Sequence, residues 1–223
     1  MQKRTGGEIY IGVVGPVRTG KSTFIKRFMD VAVLPYMEDA AQKTRAQDEL
    51  PQSAGGRTIT TTEPKFIPQE AVELKLAGEV TIRVRLVDCV GFMVEGAAGH
   101  LEDGAERLVK TPWYDHEIPF TQAAELGTRK VITDHSTIGV VVTTDGSFSD
   151  LPQETYLDAE NQAISELKKL HKPFLVLVNS SHPSSRTARE AAERIEKQHS
   201  VTAMPVNCAQ LSEEDIRQIM EQI

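Results

Sequence analysis

The sequence has few of the features that mark secreted or membrane-spanning proteins. Its 223 residues include only two cysteines, Cys89 and Cys208, which lie far apart and in apolar surroundings. We therefore expect reduced core residues rather than a disulfide framework or a metal site. No run approaches the roughly 20 apolar residues of a membrane span. Because no signal peptide is evident either, we predict a cytoplasmic protein without direct membrane insertion.

The chain also lacks an excess of positive charge. Its 25 Lys and Arg residues stand against 32 Asp and Glu residues, which gives a formal net charge of −7. No broad basic face is expected, so nucleic acid is not a predicted partner. With 39% hydrophobic residues the chain can bury a core, and its length fits one domain over residues 1–223.

What the sequence does contain is a glycine-rich turn near its start. A β-branched apolar run over residues 8–14 leads into G-x-x-x-x-G-K-S, the Walker A phosphate loop. Glycines let its backbone wrap around phosphates, and the following helix aims its positive end at them. Lys21 is predicted to reach the β- and γ-phosphates, and Ser22 to ligate Mg²⁺. The predicted nucleotide-binding residues of this stretch are Gly15, Pro16, Val17, Arg18, Thr19, Gly20, Lys21, Ser22 and Thr23.

A second motif ends a later apolar strand. Residues 80–87 lead into D-x-x-G, which follows a Walker A loop in GTPase-like proteins. Asp88 is predicted to hold Mg²⁺, and the Gly91 N–H to contact the γ-phosphate. Thr61 and Thr62 lie between the two motifs and are predicted to sense the triphosphate, with Thr62 as a further Mg²⁺ ligand. The alternative is that this threonine run is simply a β-branched strand.

Apolar strands alternate with amphipathic helices along the chain. Strands are expected over residues 8–14, 72–76, 80–87, 137–144, 173–179 and 201–206, and helices over residues 22–33, 120–132, 152–170, 184–198 and 212–223. This alternation predicts an α/β fold with a mostly parallel central sheet and helices on both faces. Residues 36–62 are expected to form a long mobile loop, and residues 92–134 an insertion.

The position that selects the base departs from the GTPase pattern. Where GTPases carry N-K-x-D, whose Asp pairs with guanine, residues 179–182 read N-S-S-H. Loss of that carboxylate favours ATP over GTP. Asn179 is retained, and Cys208 lies in the loop expected beside the base, so both are predicted nucleotide-binding residues. His182 is expected at the surface.

Two residues leave the route of hydrolysis open. Phe92 occupies the position where many GTPases have a glutamine that orients the attacking water. Arg18 either supplies positive charge to the phosphates as an arginine finger in cis, or points to a neighbouring subunit or to solvent. The predicted catalytic residues are Lys21, Thr61, Thr62, Asp88 and Arg18. An Mg²⁺-dependent ATPase, a nucleotide-gated switch with little hydrolysis and a GTPase remain as alternatives.

Several longer strings resemble one protein family. They are RAQDELPQSA at residues 45–54, TTEPKF at 61–66, TPWY at 111–114, GTRKVI at 127–132 and HSTIGV at 135–140. Together with GPVRTGKS and DCVG, they resemble the N-terminal ATPase domains of the stage IV sporulation protein A family. The resemblance covers nearly the whole chain.

The resemblance implies a P-loop NTPase of the translation-factor-type GTPase class that binds ATP and Mg²⁺ and hydrolyses ATP. In that family, hydrolysis drives a conformational change and self-association into a polymer, the basement layer of the spore coat. The polymer lies in the mother cell at the forespore outer membrane. The implied site residues are Lys21, Asp88, Thr61 and Thr62. Full-length members add middle and C-terminal domains, absent from this chain, and the implied partners are a small amphipathic membrane peptide and other coat proteins.

Overall fold

A six-stranded sheet forms the centre of the fold in the computed structural model, which describes residues 7–51, 63–75, 81–97, 101–102 and 104–223. In chain order the strands are β1 (Glu8–Val14), β2 (Lys65–Lys75), β3 (Thr81–Asp88), β4 (Leu101–Glu102), β5 (Ala105–Glu106), β6 (Leu108–Thr111), β7 (Tyr114–Pro119), β8 (Ile138–Thr144), β9 (Phe174–Asn179) and β10 (Ala203–Val206). The order in the central sheet is β10-β9-β8-β1-β3-β2.

All strands of this sheet except β2 are parallel to their neighbours. β1 pairs in parallel with β3 on one side and β8 on the other, whereas β2 runs antiparallel to β3. The predicted α/β fold with a mostly parallel sheet is therefore confirmed. Since parallel strands end at the same edge, the residues that follow β1, β3, β8 and β9 are brought together there.

Six α-helices occur in the described part of the chain. They are α1 (Lys21–Phe28), α2 (Ala40–Asp48), α3 (Phe120–Lys130), α4 (Leu157–Lys169), α5 (Arg186–His199) and α6 (Glu213–Glu221). Two π-helical turns, Met29–Val33 and Val131–His135, continue α1 and α3. Among the described residues, no helix is both long enough and apolar enough to span a bilayer.

The core has one apolar layer on each face of the sheet, because neighbouring side chains of a strand point to opposite faces. Val13 of β1 belongs to the layer that contains Phe24 of α1 and Ile219 of α6. Its neighbour Val14 belongs to the other layer, together with Ile164 of α4. Helices on both faces were predicted from the strand–helix alternation, and the two layers confirm them.

The expected loop over residues 36–62 is wrong where the chain forms α2. Asp39 caps this helix, since its Oδ1 accepts from the N–H groups of Ala41 and Gln42 at 2.8 and 3.1 Å. The Ala, Gln and Lys residues that follow are good helix formers, so their polarity does not indicate a loop. Residues 52–62 lie outside the described residues.

The insertion over residues 92–134 contains more structure than was expected. The strands β4 and β5 form one small antiparallel sheet, and β6 and β7 form another. The helix predicted over residues 120–132 is confirmed as α3 with its π-helical extension. These short strands carry few apolar residues in alternation, so the sequence does not indicate strands at these positions.

Glu160 gives a stability prediction for this fold, because its carboxylate joins α4 to β8 and α5. The side chain is 1% exposed, accepts a 2.7 Å hydrogen bond from Thr143 Oγ1 and pairs with Arg194 at 2.8 Å. We expect Glu160→Ala to lower the free energy of unfolding in urea by about 2–3 kcal/mol, because Thr143 loses its acceptor and Arg194 its partner.

Glu193→Ala is the matched control, since its ion pair with Lys197 is exposed, with side chains 61% and 79% accessible. It should change the free energy of unfolding by about 0–0.5 kcal/mol. Equal losses in both variants would contradict a special contribution from the buried carboxylate.

Candidate functional site

The turn between β1 and α1 is built to face an anion. We call residues 15–22 the glycine loop. Its backbone is left-handed at Gly15, Arg18 and Gly20, with φ of 131°, 62° and 99°, and interleaved left-handed residues create anion-binding concavities. The first turn of α1 holds no acidic residue and no side-chain cap. Within the described part of the chain, its first N–H groups and its positive end are thus available to a ligand.

Thr19 fastens the glycine loop to the sheet. Its hydroxyl is fully buried and lies 2.6 Å from the carbonyl oxygen of Val142 in β8, with that of Pro16 at 3.0 Å. Thr19 was predicted to bind nucleotide. The structure gives its side chain to the scaffold, because a buried hydroxyl with two carbonyl partners cannot reach a ligand. A contact through the Thr19 main-chain N–H stays a prediction.

Asn179, at the end of β9, joins two loops that are distant in sequence. Its Nδ2 donates to Thr19 O at 2.9 Å, and its Oδ1 accepts from the Cys208 N–H at 3.0 Å. A Cβ on Gly20 would lie 2.3 Å from that Nδ2, so only glycine fits beside the amide. Asn179 therefore positions the glycine loop, and its amide makes these contacts rather than remaining open to a base.

Cys208 takes part in the site through its main-chain N–H, whereas its thiol lies in the core. The side chain is completely buried in the core, and burial raises its pKa to about 12. Burial likewise raises the pKa of Cys89 to about 11. Both cysteines are free and buried, which confirms the predicted reduced core residues. A direct contact between the Cys208 side chain and a base is not compatible with this burial.

The segment after β3 brings a carboxylate to the start of α1. We call residues 88–92 the D-x-x-G segment. Ser22 Oγ donates to Asp88 Oδ2 at 2.9 Å, across 66 residues of sequence. The other oxygen, Oδ1, accepts from the Cys89 N–H at 2.9 Å. The two predicted metal ligands that the structure describes are thus neighbours.

Main-chain hydrogen bonds join the D-x-x-G segment directly to the glycine loop. The Phe92 N–H donates to Gly15 O at 3.0 Å, and the Val17 N–H donates to Phe92 O at 2.9 Å. A Cβ on Gly91 would lie 2.4 Å from Gly15 O and 2.5 Å from Lys21 Nζ. Gly91 therefore lies against the lysine, while the Phe92 side chain is buried, at 1% exposure.

Lys21 and Asp88 both lie where ionisation is disfavoured. Lys21 is 4% exposed, and its Nζ donates to Pro16 O at 2.5 Å. Burial lowers the pKa of Lys21, an effect that the Asp88 charge opposes. Burial raises the pKa of Asp88, and the Lys21 charge opposes this. A ligand that brings an anion to Lys21 and a cation to Asp88 relieves both penalties, as a metal polyphosphate does.

The oxygen donors of the site suit Mg²⁺. Ser22 offers a hydroxyl and Asp88 a carboxylate, and Mg²⁺ is commonly held by one or two carboxylates together with substrate phosphates. Within the described ranges no cluster of three or more His, Cys, Asp or Glu residues has the arrangement of a metal cage. The residues present fit a metal that reaches the site with phosphates.

The remaining predicted residues differ in burial, and two of them are not described by the structure. Arg18 is half-buried at the turn of the glycine loop, and Val17 is buried against Val94 and Tyr156. Thr23 is half-buried in the first turn of α1. Thr61 and Thr62 lie outside the described residues, so their predicted sensor and metal roles stay predictions.

One residue of the site was missed. Thr128, on α3, is completely buried, and its Oγ1 accepts the N–H of Gly91 at 3.0 Å. Thr128 lies in the string GTRKVI at residues 127–132, but that string does not indicate a contact with Gly91, 37 residues earlier. Only the packing of α3 against the end of β3 brings them together, so the sequence carried no signal for this contact.

The edge of the sheet beyond Asn179 holds an open cavity of about 420 Å³ between the loops that follow β8 and β9. His182 lies on its wall and is exposed, as expected. The neighbouring Ser180 is buried, and its N–H donates to Val206 O at 2.8 Å. In the N-K-x-D pattern of GTPases, the position of Ser180 carries a lysine.

Solved structures share this fold at low sequence identity. Crystal structures of two mutation variants of a protein named SsGBP superpose with TM-scores of 0.52 and 0.53, at 13% and 14% identity. Each match covers 99% of this chain and 56% of the other. Similarity at this level concerns the fold alone.

Sequence relatives are much closer. A family model described as "Stage IV sporulation protein A, ATPase domain" matches residues 1–223. Stage IV sporulation protein A of Clostridioides difficile (strain 630) is 50% identical over 223 residues, and those of Bacillus anthracis and Bacillus subtilis (strain 168) are 46% identical over 220 residues. The matches cover 99–100% of this chain but 45% of each relative, so the chain spans about half their length. The chain therefore belongs to the ATPase-domain family of stage IV sporulation protein A.

Proposed function

We propose that the chain is a single P-loop NTPase domain of the translation-factor-type GTPase class, which binds ATP with Mg²⁺ and hydrolyses it to ADP and phosphate. The observation that carries this proposal is the 2.9 Å hydrogen bond between Ser22 Oγ and Asp88 Oδ2. It unites the end of the Walker A motif with the first residue of D-x-x-G, as a shared Mg²⁺–phosphate site requires.

Each group of the site has a defined task in this proposal. The glycine loop and the start of α1 bind the phosphate chain through N–H groups. The Lys21 ammonium moves from Pro16 O to the β- and γ-phosphates. Ser22 and Asp88 hold Mg²⁺, directly or through water. When bound, Mg²⁺ supplies positive charge to the phosphate oxygens.

Adenine is the base that the end of β9 favours. The exposed His182 replaces the aspartate that would pair with guanine, and the buried Ser180 replaces the lysine. Without that carboxylate, the N–H donors of guanine lack their partner. The Asn179 amide keeps the two loops around the base in place through Thr19 O and the Cys208 N–H.

A second candidate function is a nucleotide-gated switch that binds ATP and hardly hydrolyses it. The buried Phe92 side chain favours it, since a phenyl ring offers no group to orient water. For hydrolysis, we propose that Arg18 and the threonines Thr61 and Thr62 take over charge stabilisation and water positioning. The left-handed backbone at Arg18 is consistent with a constrained role, because bulky residues adopt it only when their surroundings hold them there.

The family assignment extends the proposal to the longer protein. We propose that ATP turnover drives a conformational change and self-association into the basement layer of the spore coat. The place of assembly would be the mother-cell side of the forespore outer membrane. A small amphipathic membrane peptide would be a partner of the C-terminal domain, and other coat proteins would be partners of the full-length protein. No role with nucleic acid is proposed.

Nucleotide competition tests the choice of base. We expect ATP to displace a fluorescent ATP analogue at a concentration at least about tenfold lower than GTP does. His182→Asp restores the carboxylate that pairs with guanine at an exposed position, so this variant should bind GTP more tightly than the parent. Equal displacement by both nucleotides from the parent chain would contradict adenine selectivity.

Phosphate release separates the enzyme from the switch. We expect Lys21→Ala to reduce ATP turnover by about 100-fold, because the γ-phosphate loses its charge partner. Lys26→Ala is the matched control, since Lys26 is exposed on the same helix, and it should retain parental turnover. If the parent released phosphate no faster than Lys21→Ala, the switch alternative would replace the enzyme.

The role of Arg18 is tested by Arg18→Lys, which keeps the charge and removes the planar guanidinium. We expect turnover to fall at least about tenfold while ATP affinity changes little, because an arginine finger stabilises developing charge. Arg189→Lys, at an exposed position of α5, is the control. Unchanged turnover in Arg18→Lys would refute the catalytic role.

A further inference from the structure

The N–H group of Gly91 donates a hydrogen bond to the hydroxyl of Thr128. Gly91 N donates to Thr128 Oγ1 at 3.0 Å, and the same hydroxyl donates onward to Ala124 O at 2.8 Å. Its proton is therefore committed to its own helix, which leaves a lone pair for Gly91. The acceptor is fixed, because Thr128 is completely buried on α3.

Gly91 also borders the phosphate site. A Cβ on this residue would lie 2.5 Å from Lys21 Nζ and 2.4 Å from Gly15 O. Under the proposed function, the terminal phosphate of a nucleoside triphosphate would be a second acceptor for the Gly91 N–H. One N–H donates with good geometry to one acceptor at a time, so the phosphate and Thr128 compete for it.

We propose that Thr128 is a positioning residue that discriminates between nucleotides, since it holds the Gly91 N–H until a terminal phosphate takes it. This inference rests on the proposed function. A diphosphate has no terminal phosphate at this position and leaves the Gly91–Thr128 bond intact. Binding of a triphosphate includes the cost of breaking that bond, and Thr128 thereby lowers affinity for triphosphate alone.

Loss of the Gly91–Thr128 hydrogen bond would remove one contact of α3 with the D-x-x-G segment. The next residue, Arg129, pairs with Glu125 at 2.8 Å on α3 and with Glu166 at 3.1 Å on α4. The second of these ion pairs links α3 to α4 at the surface of the protein. Thr128 thus connects the phosphate site to the insertion.

Calorimetric titration of Thr128→Val tests the proposal, because valine has nearly the same shape and no acceptor. With Mg²⁺ and a non-hydrolysable ATP analogue, we expect binding about tenfold tighter than for the parent, since the Gly91 N–H no longer gives up a partner. The affinity for ADP should stay within about twofold of the parental value. The midpoint of thermal unfolding without nucleotide should fall, because the Gly91 N–H loses its hydroxyl acceptor and keeps only the Cys89 sulfur, a weaker acceptor.

Thr128→Ser retains the hydroxyl and should restore the parental ratio of the two affinities. Thr111→Val is the matched control: Thr111 is also buried and lies on β6, and its hydroxyl has no hydrogen-bond partner among the described residues. Its affinities for both nucleotides should be parental. If Thr128→Val does not fold, Thr128→Ala removes the same acceptor without added bulk and carries the same expectation.

The outcomes separate this inference from the proposed function. Equal weakening of both nucleotides in Thr128→Val, or no change in their ratio, overturns the competition and shows a merely structural threonine. If the parent chain bound neither nucleotide, the proposed function would fail, and the inference with it. Tighter binding of the triphosphate analogue alone is the result that supports the proposal.

Discussion

The two main-chain hydrogen bonds between the glycine loop and the D-x-x-G segment are the constraint on which the site depends. Through Gly15 O and the Val17 N–H, they hold the end of β3 against the turn after β1. Hydrogen bonds of this kind form between main-chain groups, and they restrict the movement of the two segments relative to each other. As a result, Asp88 lies beside Lys21 and Ser22 although it comes from a different part of the chain.

Buried polar side chains complete this scaffold. The Thr19 hydroxyl bonds the loop to β8, and the Asn179 amide bonds it to the loops after β9 and β10. Because these buried groups are hydrogen-bonded, they stabilise a single arrangement and avoid the free-energy cost of an unpaired polar group. A turn held in this way is preorganised, so its backbone keeps one arrangement before any ligand arrives.

Much of the fold was predictable because strands and helices have local periodicity. The strands that became β1, β3, β8, β9 and β10 were expected from apolar runs, and their ends gave the edge where Asp88 and Asn179 lie. Predictions failed where composition was an ambiguous guide. Residues 40–48 were expected to be a loop, although Asp39 caps a helix there. The short strands of the insertion were not predicted, because their apolar and polar residues do not alternate regularly.

The residue types of the site and their order along the chain can be read from the sequence. A glycine-rich turn, a lysine, a serine and a later aspartate at a strand end are visible without coordinates. The hydrogen-bond partner of each group, in contrast, follows from the tertiary structure. It gave the Gly91 N–H to Thr128 and the Thr19 hydroxyl to Val142 O, across 37 and 123 residues. Such contacts depend on how α3 and β8 pack, and packing between distant segments has no local pattern in the sequence.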